Sequence, residues 1–221
     1  MSRLDPISPD AYTAGMLLAN GLASLDRDDD EPAVDHFVHL RATWADYERV
    51  QRMRGDGSIP RLAFDKGVLE LMSPSTEHEE LKSWIGRLVE AWCFERDVDF
   101  SPVGSWTLKK KDKESGVEPD ECYIFGPNRK KPRPDLAIEV IWTSGGIDKR
   151  DLYHRFGVRE LWFWRRGRIL IFAHRARGYE EVTKSEVLPG IDLAHLLSFL
   201  DRPTASQAVR AYRAALKRRK R

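Results

Sequence analysis

Hydrophobic and polar positions divide the chain into segments of different period. Leu81, Trp84, Ile85, Leu88, Val89 and Trp92 recur at helical spacing and predict one long amphipathic helix over residues 77–94. Thr76 and Glu79 form a capping-box pattern just after Pro74 and set its start. A shorter helix is expected over Trp44 to Met53, ended by Gly55, Gly57 and Pro60. Leu62-Ala63-Phe64 and Val68 to Met72 flank Asp65-Lys66-Gly67 and read as a hairpin. Strand character follows at about 100–108 and 117–125, around a lysine-rich loop at 109–114. The run 135–142 alternates: Leu136, Ile138, Val140 and Trp142 share one face, Asp135, Ala137, Glu139 and Ile141 the other. A helix opens near Ile147 and stops at Gly157. Two strands, about 160–164 and 168–174, enclose the Arg165-Arg166-Gly167 turn, and a final helical region runs from about Asp192 to the end.

Residues 1–35 mix Pro, Gly and Asp without a sustained period and read as a weakly ordered lead-in. The folded domain is expected over 36–200, with a basic helix and tail over 201–221. No internal repeat is present. The order of elements predicts an α/β (α+β) core, a central mixed sheet flanked by helices.

Composition narrows the class. The chain has 221 residues, 41% of them hydrophobic, and seven tryptophans, enough for a buried core. No stretch approaches the roughly 18 apolar residues of a membrane span, and the start lacks an apolar secretory core. Cys93 and Cys122 are the only cysteines, which excludes a disulfide scaffold and a cysteine-built zinc site. A cytoplasmic protein without membrane partners is expected. The formal charge of +2, from 37 basic and 35 acidic residues, hides an uneven distribution. Lys217, Arg218, Arg219, Lys220 and Arg221 end the chain, and removing them would turn the charge negative.

Candidate chemistry starts at Glu139. A carboxylate inside an apolar strand is costly to bury unless it is paired or binds a cation. Asp135 shares its face. Glu118-Pro119-Asp120-Glu121 precedes the preceding strand, and the linker from Gly126 to Pro134 can return the chain so that Asp120 and Glu139 converge. Two such oxygens, with substrate phosphate and water, suit Mg²⁺ or Mn²⁺. Lys149, Leu152, Tyr153 and Phe156 follow i, i+3, i+4, i+7 spacing, so the ammonium leaves from the sheet-facing side of its helix, near the carboxylates. Acids that bind a metal and a positioned lysine suit phosphodiester hydrolysis. Each piece also has a plainer structural reading. Glu139 and Lys149 can be a simple salt bridge, Asp120 and Asp135 can be turn residues beside their prolines, and His78 with Lys82 can form a solvated helix face. Glu79 is read as spent on capping, and Glu80 as a weak fourth acid. The lysine-rich clusters 109–113 and 129–131 can be soluble loops or contacts to nucleic acid.

These residues also carry a resemblance. Met72-Ser73-Pro74-Ser75 through Glu77-His78-Glu79, Gly104-Ser105-Trp106-Thr107-Leu108, and Val117 through Tyr123 look like the Uma-two family of restriction endonuclease-like proteins. The likeness continues through Arg133 to Val140, Trp142 to Lys149, and Gly157 to Trp164, and covers about residues 40–200. It implies a PD-(D/E)XK nuclease core and metal-dependent hydrolysis of DNA, with Mg²⁺ (or Mn²⁺) as cofactor. The superfamily's PD aspartate falls on Asp120 and its strand glutamate on Glu139. The lysine usually two residues later is replaced here by Ile141, and its place is taken by Lys149 on the following helix. For the acid on the first core helix the resemblance offers Glu80, with Glu70 and His78 as competitors. Lys109, Lys110, Lys111, Lys130, Lys131, Arg218 and Arg219 are the candidate DNA contacts. Double-strand cleavage by one-site subunits would favour a homodimer. The alternative function is a nuclease-fold protein without turnover that binds nucleic acid or serves as an accessory module.

Overall fold

A computed structural model describes residues 34–141 and 147–218. Most of the lead-in, the run from Trp142 through the Ser144-Gly145-Gly146 loop, and Arg219 with the last two residues lie outside the described residues. The chain begins with β1 (His36–Arg41) and α1 (Trp44–Arg54), then the hairpin β2 (Arg61–Asp65) and β3 (Val68–Ser73). The long helix α2 (Thr76–Arg96) follows, then β4 (Phe100–Pro102), β5 (Leu108–Lys110), a 3-10 turn (Lys111–Lys113), β6 (Ser115–Val117) and β7 (Glu121–Phe125). Next come β8 (Leu136–Val140), α3 (Lys149–Phe156), β9 (Glu160–Arg165), β10 (Arg168–Arg175), β11 (Gly178–Val182), α4 (Leu193–Leu197) and α5 (Ala205–Arg218).

The strands form two sheets. One is antiparallel, in the order β1-β3-β2-β6-β5; the other runs β11-β10-β9-β8-β7-β4. In the second, β8 and β9 are parallel and the remaining pairs antiparallel, so it is the expected mixed sheet. A parallel pair needs a crossover, and α3 supplies it. The fold is therefore a mixed α+β core, with a second sheet beside the one the sequence predicts.

The hairpin and the first three helix readings hold within a few residues, whereas the final helical region is divided into α4 and α5 by the turn at 198–204. The hairpin turn is closed by Lys66 and Gly67, both at positive φ, the conformation a tight two-residue hairpin turn demands. The start of α2 differs: Ser75, not Thr76, is the N-cap, and its hydroxyl accepts from the His78 amide. The stretch 117–125 is broken at Glu118–Asp120, so that β6 and β7 belong to different sheets. Two strands have no clear sequence signal. β1 alternates poorly and lies at a sheet edge, and β11 carries Glu180 and Glu181 on another edge.

The two faces of β8 meet different layers. Leu136, Ile138 and Val140 join Ile85, Leu88, Val89 and Trp92 of α2, with Tyr212 and Leu216 of α5 closing the cluster. Ala137 faces the other way, into a cluster with Leu152, Tyr153 and Phe156 of α3. Glu139, two residues on, belongs to that second face. Among the described residues no helix is long and apolar enough to cross a membrane.

Candidate active site

Glu139 is 1% exposed, and two groups from α3 satisfy its carboxylate. Lys149 Nζ donates to Oε2 at 2.6 Å, and the Tyr153 hydroxyl donates to Oε1. Lys149 and Tyr153 are four residues apart, hence neighbours on one helix face. Leu152, Tyr153 and Phe156 anchor that face in the core, so the ammonium is carried inward by the same packing.

Asp120 arrives from the adjacent strand. The β7–β8 register pairs Glu121 with Ile138; one step further places Asp120 opposite Glu139. Opposed residues of an antiparallel pair present side chains to the same face at about 5 Å between Cβ atoms. Asp120 is fully buried. Its Oδ2 accepts the Val140 amide at 2.8 Å and lies 3.0 Å from His78 Nε2. Its Oδ1 is 3.2 Å from Arg61 Nε yet has no well-formed hydrogen bond. The neighbouring Glu118 is spent on structure: it accepts from Arg54, Thr107 and the Leu62 amide.

Two further chains of contact converge. His78 Nδ1 meets Asp35 Oδ2 at 2.9 Å, and Asp35 Oδ1 accepts the Ser75 amide. The imidazole is thus bracketed by two carboxylates. Arg61 joins Asp120 to Glu79 through its other nitrogen, so Glu79 ties the helix to β2 rather than capping it. Glu70 of β3, 3% exposed, accepts from His39 Nε2 at 2.8 Å and from the Ile147 amide at 3.1 Å.

Charge couples these groups. Burial alone would raise the Asp120 carboxyl, but the His78 hydrogen bond and the His78, Arg61 and Lys149 charges hold it well below the usual carboxylate range. Burial raises Glu139, and the Asp120 charge adds to that against the pull of Lys149 and Tyr153. Burial would lower Lys149, yet Glu139, Asp120 and Glu70 hold the ammonium well above its ordinary value. Burial would also lower His78, but Asp120 and Asp35 lift it to about 9. Burial opposes ionisation of Glu70, while His39, Lys149 and the Ile147 amide bring it below its usual value.

Of the residues singled out from the sequence, Asp120, Glu139, Lys149, Glu70 and His78 are brought together. His78 is fully buried, not part of a solvated face. Asp135 is not in the group. It sits four residues from Glu139 at the opposite end of β8, about 13 Å of strand away, bonded to the Phe125 amide and Lys131. Glu80 is exposed on the outer side of α2. Lys111 and Lys130 are exposed, Lys109 reaches Gln51, Lys110 reaches the Arg155 carbonyl, Lys131 pairs with Asp135, and Arg218 is exposed at the end of α5. Sequence reasoning misses Arg61, Asp35 and His39 and takes Tyr153 only as packing. For Arg61 a signal existed: a cation opening an apolar strand needs a partner inside. Asp35 and His39 gave none.

Among the described residues no set of three or more His, Cys, Asp or Glu is arranged to hold a metal ion. The arrangement is instead a pair of facing carboxylates, a third acid, and one lysine among them. A family model described as "Uma2: Putative restriction endonuclease" matches residues 44–202 and takes in all of this cluster except Asp35 and His39. No curated protein matches the chain.

Proposed function

The chain belongs to the Uma2 family, and from the Glu139–Lys149 cluster we propose that it is a divalent-metal-dependent DNA endonuclease. The observation that carries this reading is Lys149. A single ammonium lies 2.6 Å from Glu139 and under the charge of Asp120 and Glu70 as well. A structural ion pair needs one carboxylate; Lys149 lies among three, and Asp120 and Glu70 already have cationic partners in His78, Arg61 and His39, so a lysine at their meeting point is more than charge balance requires.

The residues fit a hard cation. Mg²⁺ or Mn²⁺ takes carboxylate oxygens and is commonly held by one or two of them, with water and substrate phosphate completing the shell. Asp120 Oδ1 is a buried oxygen without a hydrogen bond, with the Arg61 Nε 3.2 Å away. Asp120 and Glu139 would hold the ion, and Glu70 would balance charge behind Lys149. When bound, such an ion acidifies a water and offsets charge on the phosphate.

The chain's own residues do the rest. Lys149 stays protonated at neutral pH, so it acts as a donor to the attacking water or a phosphoryl oxygen, not as a base. Tyr153 fixes the Glu139 carboxylate from its other side. His78 and Arg61 hold Asp120 in one rotamer. The absence of lysine at Ile141 is answered by a helix that delivers one to the same carboxylate.

The test is nicking of supercoiled plasmid with Mg²⁺ or Mn²⁺. Wild type should nick, and Glu139→Gln and Lys149→Ala should be slower by about 100-fold or more. If wild type nicks no faster than both variants while all three bind DNA, the chain is a binding or accessory module and the endonuclease reading is lost.

A further inference from the structure

The end of α3 away from Lys149 closes a second feature, a cleft of about 400 Å³ between β5, the linker before β8, and β10. Its lining is strongly basic. Lys110, Arg133, Arg155 and Arg159 contribute four cations, beside His154 and His174, against one carboxylate, Glu186. That carboxylate is already taken by Arg175, which reaches both its oxygens.

The cations are not equivalent. Arg155 is paired with Asp65, and Lys110 donates to the Arg155 carbonyl and lies over the Phe156 ring. Arg133 has no ion-pair partner among the described residues, and Arg159 has only a 3.5 Å approach to Asp135 with 58% of its side chain exposed. Arg133 is also positioned. Its Nε, Cζ and Cδ lie 3.4–3.6 Å from where a Gly157 Cβ would stand. Gly157 has φ +71, the left-handed turn that ends α3, so the same glycine stops the helix and leaves room for the guanidinium. His154 and His174 stack at 4.3 Å and form the wall opposite. Burial depresses His174, against a hydrogen bond to the His154 carbonyl, and the nearby His154, Arg133 and Arg175 charges add to the depression.

We infer that this cleft is a phosphodiester subsite, in which Arg133 and Arg159 grip a backbone phosphate of the DNA that enters the Glu139–Lys149 site. The inference rests on the endonuclease reading for its ligand. Guanidinium pairs suit phosphate because their planar donors match its oxygens. The spacing is right for one strand. From Lys149 to Phe156, α3 rises about 10 Å, and a strand of B-DNA advances 3.4 Å per nucleotide. The cleft therefore stands within a few nucleotides' reach of Lys149. Cleavage at one place needs the strand held at another, and this cleft supplies the hold without base contact.

The experiment is duplex DNA binding followed by fluorescence anisotropy across a salt series, in EDTA so that nothing is cut. Arg133→Gln/Arg159→Gln should bind about tenfold more weakly, with the log K against log salt slope reduced by about one. Arg210→Gln, an equal change of charge per site on α5, should match wild type. Arg133→Lys/Arg159→Lys should keep the slope, because the charge remains. Thermal unfolding of each variant checks that the fold is intact. A glutamine double variant with the affinity and slope of wild type overturns the subsite. The result is independent of turnover. A protein that never nicks plasmid but shows these losses keeps the subsite and loses the endonuclease reading; one that nicks through Lys149 with unchanged binding does the reverse.

Discussion

His78 and Asp120 face each other across 3.0 Å, and neither is exposed to solvent. The other imidazole nitrogen meets Asp35, so the ring carries a proton between two carboxylates. A histidine raised from 6.5 to about 9 on folding binds its proton more tightly in the native state. That stability is present in full below about pH 6.5 and is lost as pH rises through about 9. Its size is roughly 3 kcal/mol at one pKa unit per 1.36 kcal/mol. In metal-free buffer, wild type should exceed His78→Gln in urea stability by most at pH 6, and the gap should close by pH 9.5. Parallel stability curves for the two proteins over that range would refute the bracketed imidazole.

Tight packing behind the site is tested at two glycines. A Cβ on Gly116 of β6 would meet the Tyr47 hydroxyl first and stand 2.6 Å from its Cζ and 3.1 Å from Cε1, so both tip and ring of a fully buried tyrosine are in the way. On Gly86 of α2 it would stand 2.8 Å from the Tyr123 hydroxyl, the tip of a ring. Overpacking costs typically 1–3 kcal/mol and rises when the neighbour cannot yield. Gly116→Ala should therefore lose about 3 kcal/mol and Gly86→Ala about 1–2 kcal/mol, measured by urea unfolding. The reverse ranking would mean that the β6–α1 contact is looser than described. β6 leads directly into Glu118–Asp120, so Gly116→Ala should also slow nicking.

A cation that binds the folded state alone stabilises it by mass action, by about 2.7 kcal/mol at a hundred times its Kd. Mg²⁺ or Mn²⁺ should raise the Tm of wild type in a saturable way. It should raise that of Asp120→Asn much less, since Asp120 Oδ1 is a buried oxygen without a hydrogen bond, facing only the Arg61 Nε at 3.2 Å. Calorimetry with and without 10-fold steps of metal checks this. Equal rises in both proteins would remove Asp120 from the ion site.

How much of this was legible follows from the range of each interaction. The α2 stripe, the hairpin and the α3 stripe are local periodicities, and each is found. Glu139 was legible because a carboxylate inside a buried strand contradicts its surroundings. Lys149 was legible because its helical spacing forces it inward with Leu152 and Tyr153. Asp120 followed from the neighbouring strand and from resemblance. Asp35 was not legible, because it matters through His78, 43 residues away, and Arg61 showed only that it needed a partner, not that the partner was Asp120, 59 residues on. Asp135 misled because alternation fixes the face of a strand but not the end at which the site lies. Glu80 misled in the opposite way: it lies near the right end of α2 but on the outer side of the helix.

The Glu139–Lys149 pair separates what architecture needs from what chemistry needs. Removing one partner of a buried pair leaves an uncompensated charge and costs about 3–5 kcal/mol, whereas replacing both is often close to neutral. Lys149 keeps 17% of its side chain exposed, which places the loss at the lower end of that range. Lys149→Met alone should destabilise the protein by about 3 kcal/mol, since Glu139 then has only Tyr153. Adding Glu139→Gln should recover most of that loss, as read by urea unfolding. Plasmid nicking should not return with it. If the double variant regains stability and nicks at the wild-type rate, the pair is purely structural and the cleavage chemistry lies elsewhere. If stability returns and nicking stays absent, the ion pair is the resting state of catalytic groups, each satisfied by the other until substrate arrives.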